Sequence, residues 1–175
     1  MNPRMTTRTH HSIPPIVPPP NCFTVLVVDD MLPNRILLRK VLQSAGYAIL
    51  EAENGAVAME LLESLPHLPD LIVTDIEMPV MDGISFIGEV RELDGRVSNI
   101  PIIAASGNAD EQMSREAVSA GSDVFMTKPF DLPQLRRAMA ELLRARRNSP
   151  NERSETSALV LRNRLNLGSR QVQEG

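Results

Sequence analysis

Two kinds of apolar pattern alternate along most of the chain. Short apolar runs bounded by turn residues are typical of buried strands, whereas apolar residues spaced three and four apart are typical of amphipathic helices. The runs predict five strands, at residues 23–28, 47–51, 71–74, 100–105 and 123–127. A helix is predicted after each strand.

Turn residues support the helix predictions. Pro33 suits the first turn of the first helix, whose apolar face we expect to consist of Ile36, Leu37, Val41 and Leu42. Asn108 and Glu111 resemble a capping box that opens the fourth helix, and Gly121 is expected to end it. The last helix has the clearest spacing, with apolar residues at Leu135, Ala138, Met139, Leu142 and Leu143.

Alternation of strands and helices predicts a parallel sheet, because each strand is joined to the next by a crossover helix. The strands are apolar almost throughout, as expected when helices cover both faces. We therefore predict an α/β fold, a doubly wound five-stranded parallel sheet with helices on both faces, over residues 23–147.

Both ends of the chain differ in composition from this region. Residues 1–22 are rich in proline, and residues 148–175 are mostly polar. Neither segment carries enough apolar surface to offset the entropy cost of ordering it. We predict a disordered N-terminal arm and a disordered C-terminal tail.

The charge and cysteine content of the chain limit its possible binding partners and its cellular location. The net charge of −4 and the pI of about 5.4 argue against a general nucleic-acid or anionic-membrane surface. Cys22 is the only cysteine, which excludes an internal disulfide and favours a reducing, cytoplasmic location. No apolar run approaches the roughly 18 residues of a membrane span.

Polar side chains end four of the predicted strands. Asp29 and Asp30 follow the first, Asp75 the third, Ser106 the fourth and Lys128 the fifth. Parallel strands end at one edge, so these groups should converge in one crevice. Clustered carboxylates repel each other unless a cation joins them, and oxygen ligands suit Mg²⁺. A carboxylate nucleophile, a divalent cation, a lysine and a hydroxyl together predict a site of aspartyl phosphorylation.

Each of these residues also has an ordinary structural explanation. Asp29 or Asp30 could serve only as a turn or helix-capping residue, Ser106 as a cap, and Lys128 as a solvated rim residue. Their coincidence at successive strand ends favours a functional site.

Four segments in this order resemble the response-regulator receiver domain, the CheY-like family of two-component signalling. The segments are Val27-Val28-Asp29-Asp30, Asp75-x-x-Met78-Pro79-x-Met81-Asp82-Gly83, Ala104-Ala105-Ser106-Gly107 and Phe125-x-x-Lys128-Pro129. The resemblance covers about residues 23–147 and implies a phosphate-accepting signalling domain, not an enzyme, with a flavodoxin-like sheet.

The resemblance implies a role for each residue of the acidic cluster. Asp75 would be the phosphoacceptor. Asp30, Asp75 and the main-chain carbonyl of Glu77 would bind Mg²⁺, and Asp29 would reach the metal through water.

The resemblance also implies a switch. Lys128 would pair with the phosphoryl group, and its bond to Pro129 would be cis. Ser106 would swing to hydrogen-bond the phosphoryl group, and Phe125 would then turn inward. This movement would reshape the face of the fourth helix, fifth strand and fifth helix, where a downstream protein binds.

The implied phosphodonor is a histidine on a partner, either a histidine kinase or a histidine phosphotransfer protein. No direct nucleic-acid contact and no membrane insertion are expected. Whether the chain stands alone or belongs to a larger hybrid kinase is open, and its starting Met1 with two tails favours a stand-alone protein.

Three other functions fit the residues less well. A flavodoxin-like cofactor binder needs a phosphate loop after the first strand, where Asp29 and Asp30 would repel phosphate. A haloacid-dehalogenase-like phosphatase needs a second Asp where Glu77 stands, and a cap domain. A phosphorylation-independent, receiver-like binding module is the main alternative, and the complete set of site residues argues against it.

Overall fold

A computed structural model describes residues 22–108 and 110–148 of the chain. The strands are β1 (Thr24–Val28), β2 (Ala48–Ala52), β3 (Leu71–Asp75), β4 (Ile102–Ser106) and β5 (Val124–Thr127). The helices are α1 (Leu32–Ser44), α2 (Gly55–Ser64), α3 (Gly83–Glu92), α4 (Glu111–Ala120) and α5 (Leu132–Asn148). A short 3₁₀ turn, Val97–Asn99, precedes β4. The predicted arm, apart from its last residue, and the predicted tail, apart from its first, lie outside the described residues.

The strands form one sheet in the order β2-β1-β3-β4-β5, and every neighbouring pair is parallel. This confirms the predicted doubly wound fold. The order reverses between β1 and β3, so the crevice at their carboxyl ends lies between helices of opposite faces. No helix in the described ranges is long and apolar enough to cross a membrane.

The sheet separates two hydrophobic layers. Alternate residues of a strand point to opposite faces, so Leu26 and Val28 enter one layer while Val25 and Val27 enter the other. The first layer is completed by α2, α3 and α4, with Ala58, Leu62, Phe86, Ile87, Val90 and Ala117. The second is completed by α1 and α5, with Leu38, Leu42, Leu135, Met139 and Leu143. Burial on both faces explains the almost continuous apolar sequence of the strands.

Two details of the helices differ from the sequence prediction. The buried face of α1 contains Leu38 and Leu42, whereas Leu37 is 53% exposed. One residue turns a helix by about 100°, so Leu37 and Leu38 cannot both face the sheet. The cap of α4 is Asp110, whose side chain accepts a hydrogen bond from the backbone N–H of Gln112, and not Asn108.

Gly83 allows α3 to begin against the end of β3. Its N–H donates to the carbonyl of Ile76 at 2.9 Å. A Cβ at this position would collide with the carbonyl oxygen of Asp75 and would lie 2.7 Å from Cα of Ile76. Both obstacles are backbone atoms, which cannot rotate away. The glycine therefore fixes how closely the helix approaches the strand that carries Asp75.

We expect Gly83→Ala to destabilise the fold by about 1–3 kcal/mol, the usual cost of overpacking. Gly88→Ala, on the same helix, is the control, because beyond its chain neighbours and its own helix backbone no atom lies within 4 Å of the added Cβ. That change should stabilise the protein by about 0.5–1 kcal/mol, since alanine favours a helix more than glycine does. Urea unfolding of both variants checks this, and equal effects would contradict the close approach.

Candidate functional site

Three carboxylates meet at the carboxyl edge of the sheet. Asp29 and Asp30 follow β1, and Asp75 is the last residue of β3. One carboxylate oxygen from each residue lies within 4.8 Å of the others. Asp29 and Asp75 are buried, with 1% and 7% of their surface exposed. The predicted convergence of these side chains is therefore present.

Lys128 lies between the two buried carboxylates. Its Nζ is 2.6 Å from Oδ2 of Asp29 and 2.7 Å from Oδ2 of Asp75. The backbone N–H of Lys128 donates to the carbonyl of Ser106, which extends the pairing of β4 and β5, and the peptide bond to Pro129 is cis as predicted. The ammonium supplies the positive charge that two adjacent buried carboxylates require.

Asp29 also holds the beginning of α1. Its Oδ1 accepts from the N–H of Met31 at 2.9 Å, and both its oxygens accept from the amide of Asn34, at 3.1 and 3.2 Å. Met31 is the N-cap of α1, yet its side chain offers no capping oxygen. The Arg35 guanidinium donates to the carbonyls of Asp29 and Asp30. The carboxylate of Asp29 therefore stabilises a helix terminus as well as the polar cluster.

Asn34 and Arg35 were missed by the sequence reasoning. Their contacts return from the first turn of α1 to the preceding loop. The sequence feature that could have indicated them is a pair of polar side chains in the first turn of a helix that follows Asp29 and Asp30.

The pKa of Asp75 is raised above the ordinary value of 3.8, chiefly because burial removes its carboxylate from water. The hydrogen bond and charge of Lys128 oppose this effect, and the backbone N–H of Glu77 donates to Oδ1 of Asp75 at 3.4 Å. The carboxylate lies at the carboxyl end of β3, the edge at which ligands bind in such sheets.

Ser106 and Glu77 are in contact. Ser106 ends β4 and is fully buried, and its hydroxyl donates to Oε2 of Glu77 at 3.3 Å. The hydroxyl oxygen of Ser106 also accepts from the backbone N–H of Asn108 at 2.9 Å. The family resemblance implies a role for Glu77 only through its main-chain carbonyl, whereas the structure also shows a contact of its carboxylate. The backbone of Glu77 lies beside Asp75, because its N–H donates to the side chain of Asp75.

Phe125 lies in β5, two residues before the end of β5, and pairs with Ala104 of β4. Its half-buried ring packs against the layer formed by α2, α3 and α4. Phe125 therefore lies on the face of the sheet that α2, α3 and α4 cover.

Val80 forms a strained corner in the loop between β3 and α3. Its φ is 71°, and the N–H of Met81 donates to the carbonyl of Pro79 at 2.9 Å across it. A γ-turn with positive φ is rare and costly for a β-branched residue. The side chain is 86% exposed, so burial does not offset that cost.

In Mg²⁺-free buffer at neutral pH, we expect Asp75→Asn to be more stable than the wild type. The amide stays neutral and keeps an oxygen for Lys128, whereas the raised pKa means that the fold favours the protonated carboxyl. The penalty is fully present above the raised folded-state pKa and disappears below the unfolded-state value of about 3.8. Urea unfolding at several pH values should show the difference shrinking on acidification.

Asp94→Asn, which makes the same change at an exposed site, is the matched control and should have little effect at any pH. An Asp75→Asn variant less stable than wild type at neutral pH would contradict the assignment of burial as the dominant effect.

Comparison with known proteins agrees with this geometry. Residues 25–140 match the family model described as response regulator receiver domain. The chain is 38% identical over 121 residues to the chemotaxis protein CheY of Halobacterium salinarum, a match that covers 69% of this chain and 97% of that protein. The solved structure of the chemotaxis response regulator CheY4 of Vibrio cholerae superposes with a TM-score of 0.62 at 27% identity, over 69% of this chain and 98% of that one.

Some relatives contain the matched region within a much longer protein. The chain is 37% identical over 111 residues to the sensor histidine kinase CheAY of Helicobacter pylori, covering 63% of this chain but only 14% of that protein. Receiver domains are phosphoacceptors in signalling and are not, as a class, enzymes in the usual sense. The motifs, the sheet order, the three clustered carboxylates and these matches together show that the chain belongs to the response regulator receiver family and is a phosphoacceptor of two-component signalling.

Proposed function

We propose that Asp75 is the residue of this chain that accepts the phosphoryl group, and that the donor is a phosphohistidine on a partner protein. The observation that carries this proposal is the contact of Lys128 with Asp75 at 2.7 Å beside two further carboxylates. Asp75 combines burial, an adjacent cation and a position at the end of β3 that opens onto the crevice.

The transfer is a displacement at phosphorus. A carboxylate oxygen of Asp75 forms the new P–O bond while the P–N bond to the donor imidazole breaks, and the imidazole nitrogen keeps the electron pair. The product is an acyl phosphate that carries about two negative charges. Lys128 turns an N–H toward a phosphoryl oxygen, and Ser106 donates its hydroxyl hydrogen to another.

The acidic cluster fits Mg²⁺, because it offers hard oxygen ligands around two buried carboxylates. We propose that Asp30, Asp75 and the carbonyl of Glu77 hold the ion and that Asp29 reaches it through water. Asp29 is suited to the indirect role, since Met31, Asn34 and Lys128 already occupy its oxygens. When bound, Mg²⁺ neutralises negative charge on the phosphoryl oxygens.

The partners follow from the relatives and from the position of the switch residues. Two relatives that contain the matched region are a sensor histidine kinase and a histidine kinase, so a histidine kinase or a histidine phosphotransfer protein is the proposed donor. The proposed output surface is the α4-β5-α5 face, reshaped when Ser106 swings toward the phosphoryl group and Phe125 turns inward. We propose that the domain acts in the cytoplasm, where ATP supplies the kinase.

The experiment is intact-mass measurement after incubation with acetyl phosphate and Mg²⁺. Wild type is expected to gain one phosphoryl group, and Asp75→Asn is expected to gain none, because the amide is not a nucleophile. Asp82→Asn is the control, since Asp82 caps α3 nearby and its loss should leave the adduct intact.

Two results would overturn the assignment. An adduct retained in Asp75→Asn would place the phosphoryl group on another residue. A folded wild type that forms no adduct, with acetyl phosphate or with a phosphorylated histidine kinase, would favour a phosphorylation-independent binding module.

Lys128→Met tests the charge balance of the site. Without Mg²⁺ the change should destabilise the fold by about 3 kcal/mol, since two buried carboxylates lose their cation. Mg²⁺ should restore part of that stability and raise the urea midpoint more than it does in wild type. Lys40→Met, at an exposed position on α1, is the control. An equal Mg²⁺ response in all three proteins would contradict the claim that Lys128 and Mg²⁺ neutralise the same carboxylates.

A further inference from the structure

The hydroxyl of Ser106 is fixed from two sides. It is fully buried at the end of β4, accepts from the N–H of Asn108 at 2.9 Å and donates to Oε2 of Glu77 at 3.3 Å. The strand around it is also fixed, because its carbonyl accepts from the N–H of Lys128 at 2.7 Å. The backbone of Ser106 is therefore held in place, and its side chain can still rotate.

A hydroxyl has one hydrogen, and in this structure Glu77 receives it. The proposed function, on which this inference rests, requires the same hydrogen to reach a phosphoryl group on Asp75. The two acceptors exclude each other. At 3.3 Å the bond to Glu77 is longer than an ordinary O–H···O bond, so a closer acceptor can replace it.

We infer that the carboxylate of Glu77 is a positioning group that holds Ser106 in its resting orientation and so opposes switching in the absence of phosphate. Glu77 is exposed, and its carboxylate lies 4.0 Å from the point where Gly107 would carry a Cβ. The carboxylate of Glu77 therefore reaches the end of β4 from the solvent side.

Phosphorylation releases this contact for an electrostatic reason. The phosphoryl group brings negative charge next to the carboxylate of Glu77, and like charges repel. Because Glu77 is exposed, its side chain can turn into water at small cost. The hydrogen bond then passes from Glu77 to the phosphoryl group, and Ser106 is free to move.

Removal of the carboxylate should shift the resting equilibrium toward the switched state. Loss of one ordinary hydrogen bond corresponds to a change of about fivefold in that equilibrium. Glu77→Ala is expected to give the full effect, and it keeps the backbone carbonyl proposed for Mg²⁺. Glu77→Gln keeps a neutral acceptor of the same shape and should lie between Glu77→Ala and wild type.

Amide NMR of the full chain measures this directly. The difference between free wild type and wild type loaded with beryllofluoride, a mimic of the acyl phosphate, defines a shift direction for the amides of Asn108 and Phe125. Unloaded Glu77→Ala should move along that direction, and Glu89→Ala, an exposed carboxylate on α3, should not. In a Ser106→Ala background, Glu77→Ala should cause no further movement, because the hydroxyl is gone.

Each outcome decides one claim. If wild type forms the adduct on Asp75 but the amides of unloaded Glu77→Ala do not move along the loading direction, the positioning role is wrong and the receiver function stands. Movement that persists in the Ser106→Ala background would assign the effect to charge alone and would also overturn the inference. Failure of wild type to form an adduct would instead refute the proposed function.

Discussion

The ion pairs of Lys128 with Asp29 and Asp75 are the interactions on which the site depends. Asp29 and Lys128 are 99 residues apart, so these contacts require β1, β3, β4 and β5 to pair in the correct order. Two buried carboxylates at this distance are costly without a cation. The ammonium makes the carboxylate cluster compatible with folding, and in the proposed function the same ammonium would neutralise an incoming phosphoryl group. Stability and chemistry thus rely on one charge.

The fold and the polar cluster were predictable from the sequence, because they follow from simple geometry. Strands buried on both faces are nearly continuous apolar runs, and those runs located β1 to β5 within a few residues. Parallel strands end at one edge, so polar residues after three of those runs had to meet. The distances between Asp29, Asp75 and Lys128 confirm this convergence.

Other features depend on orientation, which the sequence pattern does not specify. Leu37 and Leu38 are both apolar, and only the rotation of α1 decides which one is buried. Asp110 caps α4 because the loop extends past Asn108, whose backbone is instead bonded to Ser106. The carboxylate of Glu77 meets Ser106 across two strand ends, a contact that no spacing in the sequence indicates.

Because Asp29 caps α1, its loss should cost stability that the loss of Asp75 does not. Burial raises the pKa of Asp75, so we expect its carboxylate to lower the stability of the fold in the absence of Mg²⁺. Asp29 supports a helix terminus through Met31 and Asn34. A descendant of this domain that abandoned phosphate signalling could therefore lose Asp75 first and retain Asp29 for structural reasons alone. An aspartate retained at the position of Asp29 in a related chain is therefore weak evidence that the chain is still phosphorylated.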